Sequence, residues 1–152
     1  MELKTGSADS TLDDKGRVSI PIRFRDQFQG ELIISWGMER CLWIMKPSTW
    51  ENFEQKMRNS TVFNQEEWRY FEYTVLAQKQ PTELDKAGRI AIPPSFRRYA
   101  NMSRECLIIC SEDRLSLWDV DTFYDYREKN DAMGQAAMNK LDTPDIFKAD
   151  QG

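Results

Sequence analysis

Leu12-Asp13-Asp14-Lys15-Gly16-Arg17-Val18-Ser19-Ile20-Pro21-Ile22-Arg23-Phe24-Arg25 returns later in the chain as Leu84-Asp85-Lys86-Ala87-Gly88-Arg89-Ile90-Ala91-Ile92-Pro93-Pro94-Ser95-Phe96-Arg97. The offset is 72 (85 − 13 and 97 − 25), and 8 of the 14 aligned positions are identical. Ordinary composition gives about one such match by chance, so the chain is built from two copies of one unit. Each copy starts with a turn, Asp13 to Gly16 or Asp85 to Gly88. Asp bonds its own downstream backbone there, and Gly accepts a positive φ. Val18-Ser19-Ile20 and Ile90-Ala91-Ile92 alternate as short half-buried strands, and Pro ends them. Pro94 suits the first position of a helix, and Phe24 and Phe28 fit one face of a short one.

Outward from the motif both copies predict a β-hairpin. Glu31–Trp36 pairs with Cys41–Met45 in the first copy, and Cys106–Cys110 with Leu115–Trp118 in the second. Arg40 and Arg114 precede the return strands at equivalent places. A helix follows in each copy: Trp50–Arg58, capped by Ser48 or Thr49, and Thr122–Lys129, capped by Asp121. Another helix is predicted over Asn64–Ala77, with Trp68, Phe71 and Val75 at helical spacing. Gln78–Pro81 reads as the link between copies, and the stretch after Asn130 as a frayed helix with a disordered end. The expected division is repeat 1 over 5–51, a connecting helical segment over 52–78, repeat 2 over 79–123, and a C-terminal helix and tail over 124–152. A lone copy would expose many strand edges, so the two copies are expected to close one α+β core about a pseudo-two-fold axis.

With 152 residues, 40% hydrophobic and 30% charged, the chain reads as a soluble globular protein. The first residues contain no apolar stretch of the signal-peptide kind, so a cytoplasmic location is the default expectation. Three cysteines, Cys41, Cys106 and Cys110, are an odd number, which argues against a disulfide framework, and Cys106 and Cys110, on one face of an apolar strand, read as buried free thiols. No histidine and no Cys-x-x-Cys are present, so neither a metal nor a cofactor is expected. The missing histidine also removes Ser/His/Asp and Cys/His catalysis, and no phosphate-cradling glycine loop occurs, so an enzyme is not expected.

The net charge of −4 has the wrong sign for coating DNA nonspecifically, yet basic residues cluster locally. Lys15, Arg17, Arg23 and Arg25 occur in one run without an acid. Arg reads guanine bidentately, Lys and Arg neutralise phosphates, and an adjacent Gly lets the backbone come close to a ligand. Arg17 and Arg89 have a second reading, in which each closes its turn by pairing with Asp13 or Asp85. Arg23 and Arg25 have one as a solvated helix face. Arg25 matches Arg97, which suggests a shared structural role such as pairing with a neighbouring subunit.

Asp-x-x-Gly-Arg-hydrophobic-x-hydrophobic-Pro, twice in about 150 residues, resembles the MraZ family of bacterial transcription regulators. Each half resembles the AbrB-type swapped-hairpin DNA-binding unit, and the likeness covers roughly residues 3–129. It implies a β-rich pseudo-two-fold domain of two β-α-β repeats that assembles into a ring. It also implies a nucleoid-associated partner, double-stranded promoter DNA, bound at short direct repeats upstream of the protein's own gene in a division and cell-wall cluster. The DNA-contacting motif carries over onto Lys15, Gly16, Arg17, Gly88 and Arg89. Arg23, Arg25, Lys86 and Arg97 are further candidates for DNA or interface contact. Position 87 is Ala where the first copy has Lys15, so the first copy is expected to dominate DNA contact. The competing reading is an antitoxin-like module of the same hairpin class, binding a protein partner as well as DNA through a tail such as 130–152.

Overall fold

A computed structural model describes residues 4–141 and 145–149. Its main feature is a six-stranded antiparallel sheet in the order β1-β7-β8-β4-β3-β5. The strands are β1 (Gly6–Thr11), β3 (Leu32–Trp36), β4 (Leu42–Met45), β5 (Lys79–Thr82), β7 (Glu105–Cys110) and β8 (Leu115–Asp119). The order reads the same from either end once β1 is exchanged with β5, β3 with β7 and β4 with β8, which is the signature of an internal two-fold. In the central pair Leu42 faces Leu117 and Ile44 faces Leu115. These two pairings exchange at an offset of 73 (115 − 42 and 117 − 44).

Two short strands, β2 (Arg17–Ser19) and β6 (Arg89–Ala91), form a separate antiparallel ribbon. The short helices α1 (Ile22–Arg25), continued by a 3₁₀ turn at Asp26–Phe28, and α4 (Pro94–Tyr99) follow the ribbon strands. Sequence alternation explains the layer they make. Leu32, Ile34, Leu42, Ile44, Ile108, Leu115 and Leu117 point from one face of the sheet into the core. Val18, Ile20 and Phe24 of one repeat and Ile90, Ile92 and Phe96 of the other meet them from the ribbon layer. Burying Phe24, Phe28 and Phe96 almost completely contributes about 2–3 kcal/mol each relative to exposure.

The opposite face of the sheet is covered by the longer helices. α2 (Pro47–Asn59) and α3 (Gln65–Phe71), with a π-helical turn at Glu72–Leu76, place Trp50, Val75 and Leu76 against Met45. α5 (Val120–Met138) stacks Phe123 and Tyr126 around Trp118.

Several elements depart from the sequence expectation. β1 and β5 are strands where no hairpin partner and only a link were expected. Their residues, Gly-Ser-Ala-Asp-Ser-Thr and Lys-Gln-Pro-Thr, carry no apolar alternation, because an edge strand is held by its neighbour's backbone. β1 pairs with β7 from Gly6–Cys110 to Thr11–Glu105, and β5 with β3 from Leu32–Thr82 to Ser35–Lys79. Each repeat therefore gives its first strand to the hairpin of the other. Pro81 suits the sheet edge, where one N–H side needs no partner.

Helix starts also differ. α2 begins at Pro47 after Lys46, with no side-chain cap from Ser48 or Thr49, since Pro fills the first helical position without an N–H. α5 is capped by Asp119 rather than Asp121. Asp119 accepts bonds from the Thr122 N–H and hydroxyl at 3.2 and 3.3 Å, and from the Ser103 N–H and hydroxyl at 2.9 and 2.7 Å. Burial alone would raise its pKa, but these bonds outweigh it and hold the carboxyl below the ordinary aspartate value. α3 starts with a reciprocal capping box between Asn64 and Glu67. The helix expected over Thr122–Lys129 and the frayed helix expected after Asn130 form one continuous helix to Met138, carried by the strong helix formers Ala132, Ala136 and Ala137 and by side-chain bonds one turn apart. Parts of the stretch expected to be disordered, 142–144 and 150–152, lie outside the described residues.

Candidate nucleic-acid interface

The two motif turns are near-identical copies related by the internal two-fold. Asp13 Oδ1 accepts the Lys15 and Arg17 N–H groups at 2.9 Å, and Asp85 Oδ1 accepts those of Ala87 and Arg89 at 2.9 Å. Gly16 and Gly88 close the turns at φ of 76° and 78°. These N–H bonds, the Arg17 backbone first, hold the Asp13 carboxyl below its ordinary range despite some desolvation, and Arg89 does the same for Asp85.

The second reading of Arg17 and Arg89 is the one observed. Arg17 Nε bonds Asp13 Oδ2 at 2.8 Å, and Arg89 Nε bonds Asp85 Oδ2 at 2.9 Å. The pairing uses Nε and leaves the terminal nitrogens of both guanidinium groups without a hydrogen bond among the described residues. A positioned arginine with a free outer edge is thus compatible with both readings.

The ribbon brings the two turns together. Val18 faces Ile90 at its centre, Arg17 faces Ala91 and Ser19 faces Arg89. The ladder extends through Ile20 N–H to Gly88 O at 2.9 Å and Ile92 N–H to Gly16 O at 2.8 Å. Val18 and Ile90 are fully buried. Strand alternation therefore sends Arg17, Ser19, Arg89 and Ala91 to the outer face, with the two arginines diagonal to one another. Ser19 and Ala91 escaped the sequence reading, although period-two alternation beside a buried Val18 was the signal for them.

Two expectations about this site change. The turn glycines do not leave an open surface for a ligand. Both are buried, and a Cβ at Gly16 would come within 2.6 Å of Arg97 Nη1, while one at Gly88 would strike the Arg25 guanidinium. Arg25 and Arg97 thus share a structural role within one chain, each lying on the turn of the opposite repeat. Arg25 Nε also donates to Ile20 O at 2.6 Å.

The four-cation run of repeat 1 is also dispersed. Arg25 goes to the second turn, and Arg23 bonds Ser7 O at 2.6 Å, tying α1 to β1 while its guanidinium covers Phe24. Lys15, Arg17 and Arg97 surround the first turn, and Lys86, Arg89 and Arg25 the second. The exchange gives each turn three cations, and the carboxylates Asp13 and Asp14 accompany the first against Asp85 alone at the second. Lys15 and Lys86 are exposed, at neighbouring rather than equivalent turn positions.

Among the described residues no group of three or more His, Cys, Asp or Glu is placed to hold a metal ion, and no helix is long and apolar enough to cross a membrane. Comparison with protein families finds the family described as "MraZ protein, putative antitoxin-like", matched twice, at residues 4–72 and 75–142. The two matches fall one on each of the pseudo-two-fold-related repeats and span nearly all of the described residues. They point to a regulator-type function on DNA, and the chain belongs to the MraZ family.

Proposed function

We propose that this protein is a sequence-specific transcription regulator that grips double-stranded promoter DNA with the β2–β6 ribbon. In this reading it recognises short direct repeats upstream of its own gene, in a division and cell-wall gene cluster, as a ring of identical subunits in the nucleoid-containing cytoplasm. The observation that carries the reading is the placement of Arg17 and Arg89 on the outer face of one two-stranded ribbon. The major groove of B-DNA admits such a ribbon, and an arginine edge reads guanine through O6 and N7. Lys15 and Lys86 then neutralise flanking phosphates, while Gly16 and Gly88 shape the turns. Arg25 and Arg97 brace the turns from the opposite repeat, so that both repeats contribute and neither dominates. Arg23 holds α1 to β1 and is not assigned a DNA contact.

A net charge of −4 makes a lone subunit a weak DNA binder. A ring repeats the ribbon, and once one is bound the effective concentration of the next is high, which suits an operator of repeated boxes. Footprinting the DNA upstream of the gene tests the reading. Regularly spaced protected boxes are expected, and an unprotected upstream region contradicts it.

The family's own description favours one second reading, an antitoxin-like module that binds a protein as well as DNA. Purification from the native host separates the two. A second polypeptide co-purifying at fixed stoichiometry supports the antitoxin-like reading, and its absence supports a self-sufficient regulator.

A further inference from the structure

The pseudo-two-fold that repeats the Gly-Arg turns also repeats a cleft. α2 and the β7–β8 turn enclose one of about 430 Å³, and α5 and the β3–β4 turn one of about 570 Å³. Their helix positions correspond at an offset of 73, as in the central strands: Thr49 with Thr122, Phe53 with Tyr126, Lys56 with Lys129 (129 − 56). Their turn positions correspond at 74, Arg114 with Arg40 (114 − 40). Neither cleft includes a residue of the DNA-facing ribbon.

One difference sets their chemistry apart. Asp125 lines the second cleft and bonds Lys129 Nζ at 2.9 Å, which neutralises that cation. Asn52 occupies the equivalent place in the first cleft, and Lys56 has no ion-pair partner among the described residues. Across from it, Arg114 keeps Nη1 on Asp113 at 3.1 Å, but its Nε is buried with no hydrogen-bond partner. Trp43, Met45 and Phe53 supply an apolar floor, with the Arg114 guanidinium 5.5 Å from the Trp43 ring centroid. The first cleft therefore suits a carboxylate next to a large apolar side chain.

The chain carries such a pair. Asp145 is followed by Ile146 and by Phe147, which is 92% exposed. One Asp145 oxygen holds the Phe147 N–H at 3.0 Å, and the other has no hydrogen-bond partner among the described residues. Residues 141–152 contain three acids, Asp142, Asp145 and Asp150, against Lys148. α5, 19 residues and hence about 28 Å long, delivers the segment. Every residue from 131 to 140 is exposed, so the distal half of α5 stands away from its own body.

We propose that the cleft between α2 and the β7–β8 turn receives the Asp145–Phe147 segment of a second copy. The Asp145 carboxylate lies between Lys56 and Arg114, and the Phe147 ring covers Trp43 and Phe53. This contact is independent of the DNA reading, because it uses other residues.

A fluorescein-labelled peptide of residues 141–152, titrated by polarisation against full-length protein carrying Phe147→Ala, tests it. That variant keeps every cleft but disarms its own segment. Saturable binding is expected, weakened roughly tenfold or more by adding Lys56→Glu and unchanged by adding Lys129→Glu in the equivalent cleft. A peptide with Asp145→Lys should bind the Lys56→Glu protein better than the parent does. Thermal midpoints of the variants are measured alongside and are expected to be equal. Absence of saturable binding, or equal losses from Lys56→Glu and Lys129→Glu, overturns the proposal.

Discussion

The guanidinium of Arg97 lies across the α-carbon of Gly16, so close that a Cβ on the glycine would come within 2.6 Å of Nη1. Arg25 and Gly88 repeat the arrangement from the other half. Each turn is closed by bonds within its own repeat and covered by an arginine of the opposite one.

Gly16→Ala meets both a positive φ of 76° and the Arg97 guanidinium. A loss of about 1–3 kcal/mol is expected in urea unfolding. Adding Arg97→Ala should recover the steric share and leave the conformational one, so the double variant is less destabilised than the sum of the two singles. Strict additivity would show that the contact does not constrain the glycine.

Asp119 is buried, caps α5 and binds Ser103, so Asp119→Ala removes several bonds at once. About 2–3 kcal/mol of destabilisation follows at neutral pH. Its carboxyl is held below the ordinary value, so its contribution is full above that value and is lost as pH falls through the lowered one. As pH falls below the ordinary aspartate value, the parent should lose stability more steeply than the alanine variant. Parallel pH profiles of denaturation midpoint would refute this.

Burial pushes the Cys41 thiol up to about 12 and the Cys106 thiol up to about 11, the carboxylates of Glu39 and Asp119 adding to burial in each case, and burial raises Cys110 as well. The folded protein should therefore react with Ellman's reagent at pH 8 far more slowly than the unfolded chain, which should titrate three thiols. A rapidly reacting thiol in the folded protein would place one of these cysteines at the surface.

The repeat made much of this architecture legible. The apolar runs Glu31–Trp36, Cys41–Met45, Cys106–Cys110 and Leu115–Trp118 marked the hairpins, and Asp-x-x-Gly-Arg marked both turns. Local pattern could not show which half supplies which neighbour. β1 and β5 carry no alternating apolar residues, because their partners hold them through backbone bonds. The match of Arg25 with Arg97 pointed to a shared structural role, but not to its place within one chain, since only the pairing of Ile20 with Gly88 and Ile92 with Gly16 brings them over the opposite glycines. The clustering of Arg23 and Arg25 with Arg17 in sequence likewise dissolves in space.

The ribbon as a DNA-reading element is tested most directly by the Arg17→Ala/Arg89→Ala double variant, assayed by mobility shift on the DNA upstream of the gene across a salt series. Each single variant should weaken binding by roughly 1–3 kcal/mol and to a similar extent, and the double variant by more. Parent binding should fall steeply as salt rises, because phosphate contacts release counterions. A folded double variant that binds this DNA as tightly as the parent would contradict the account.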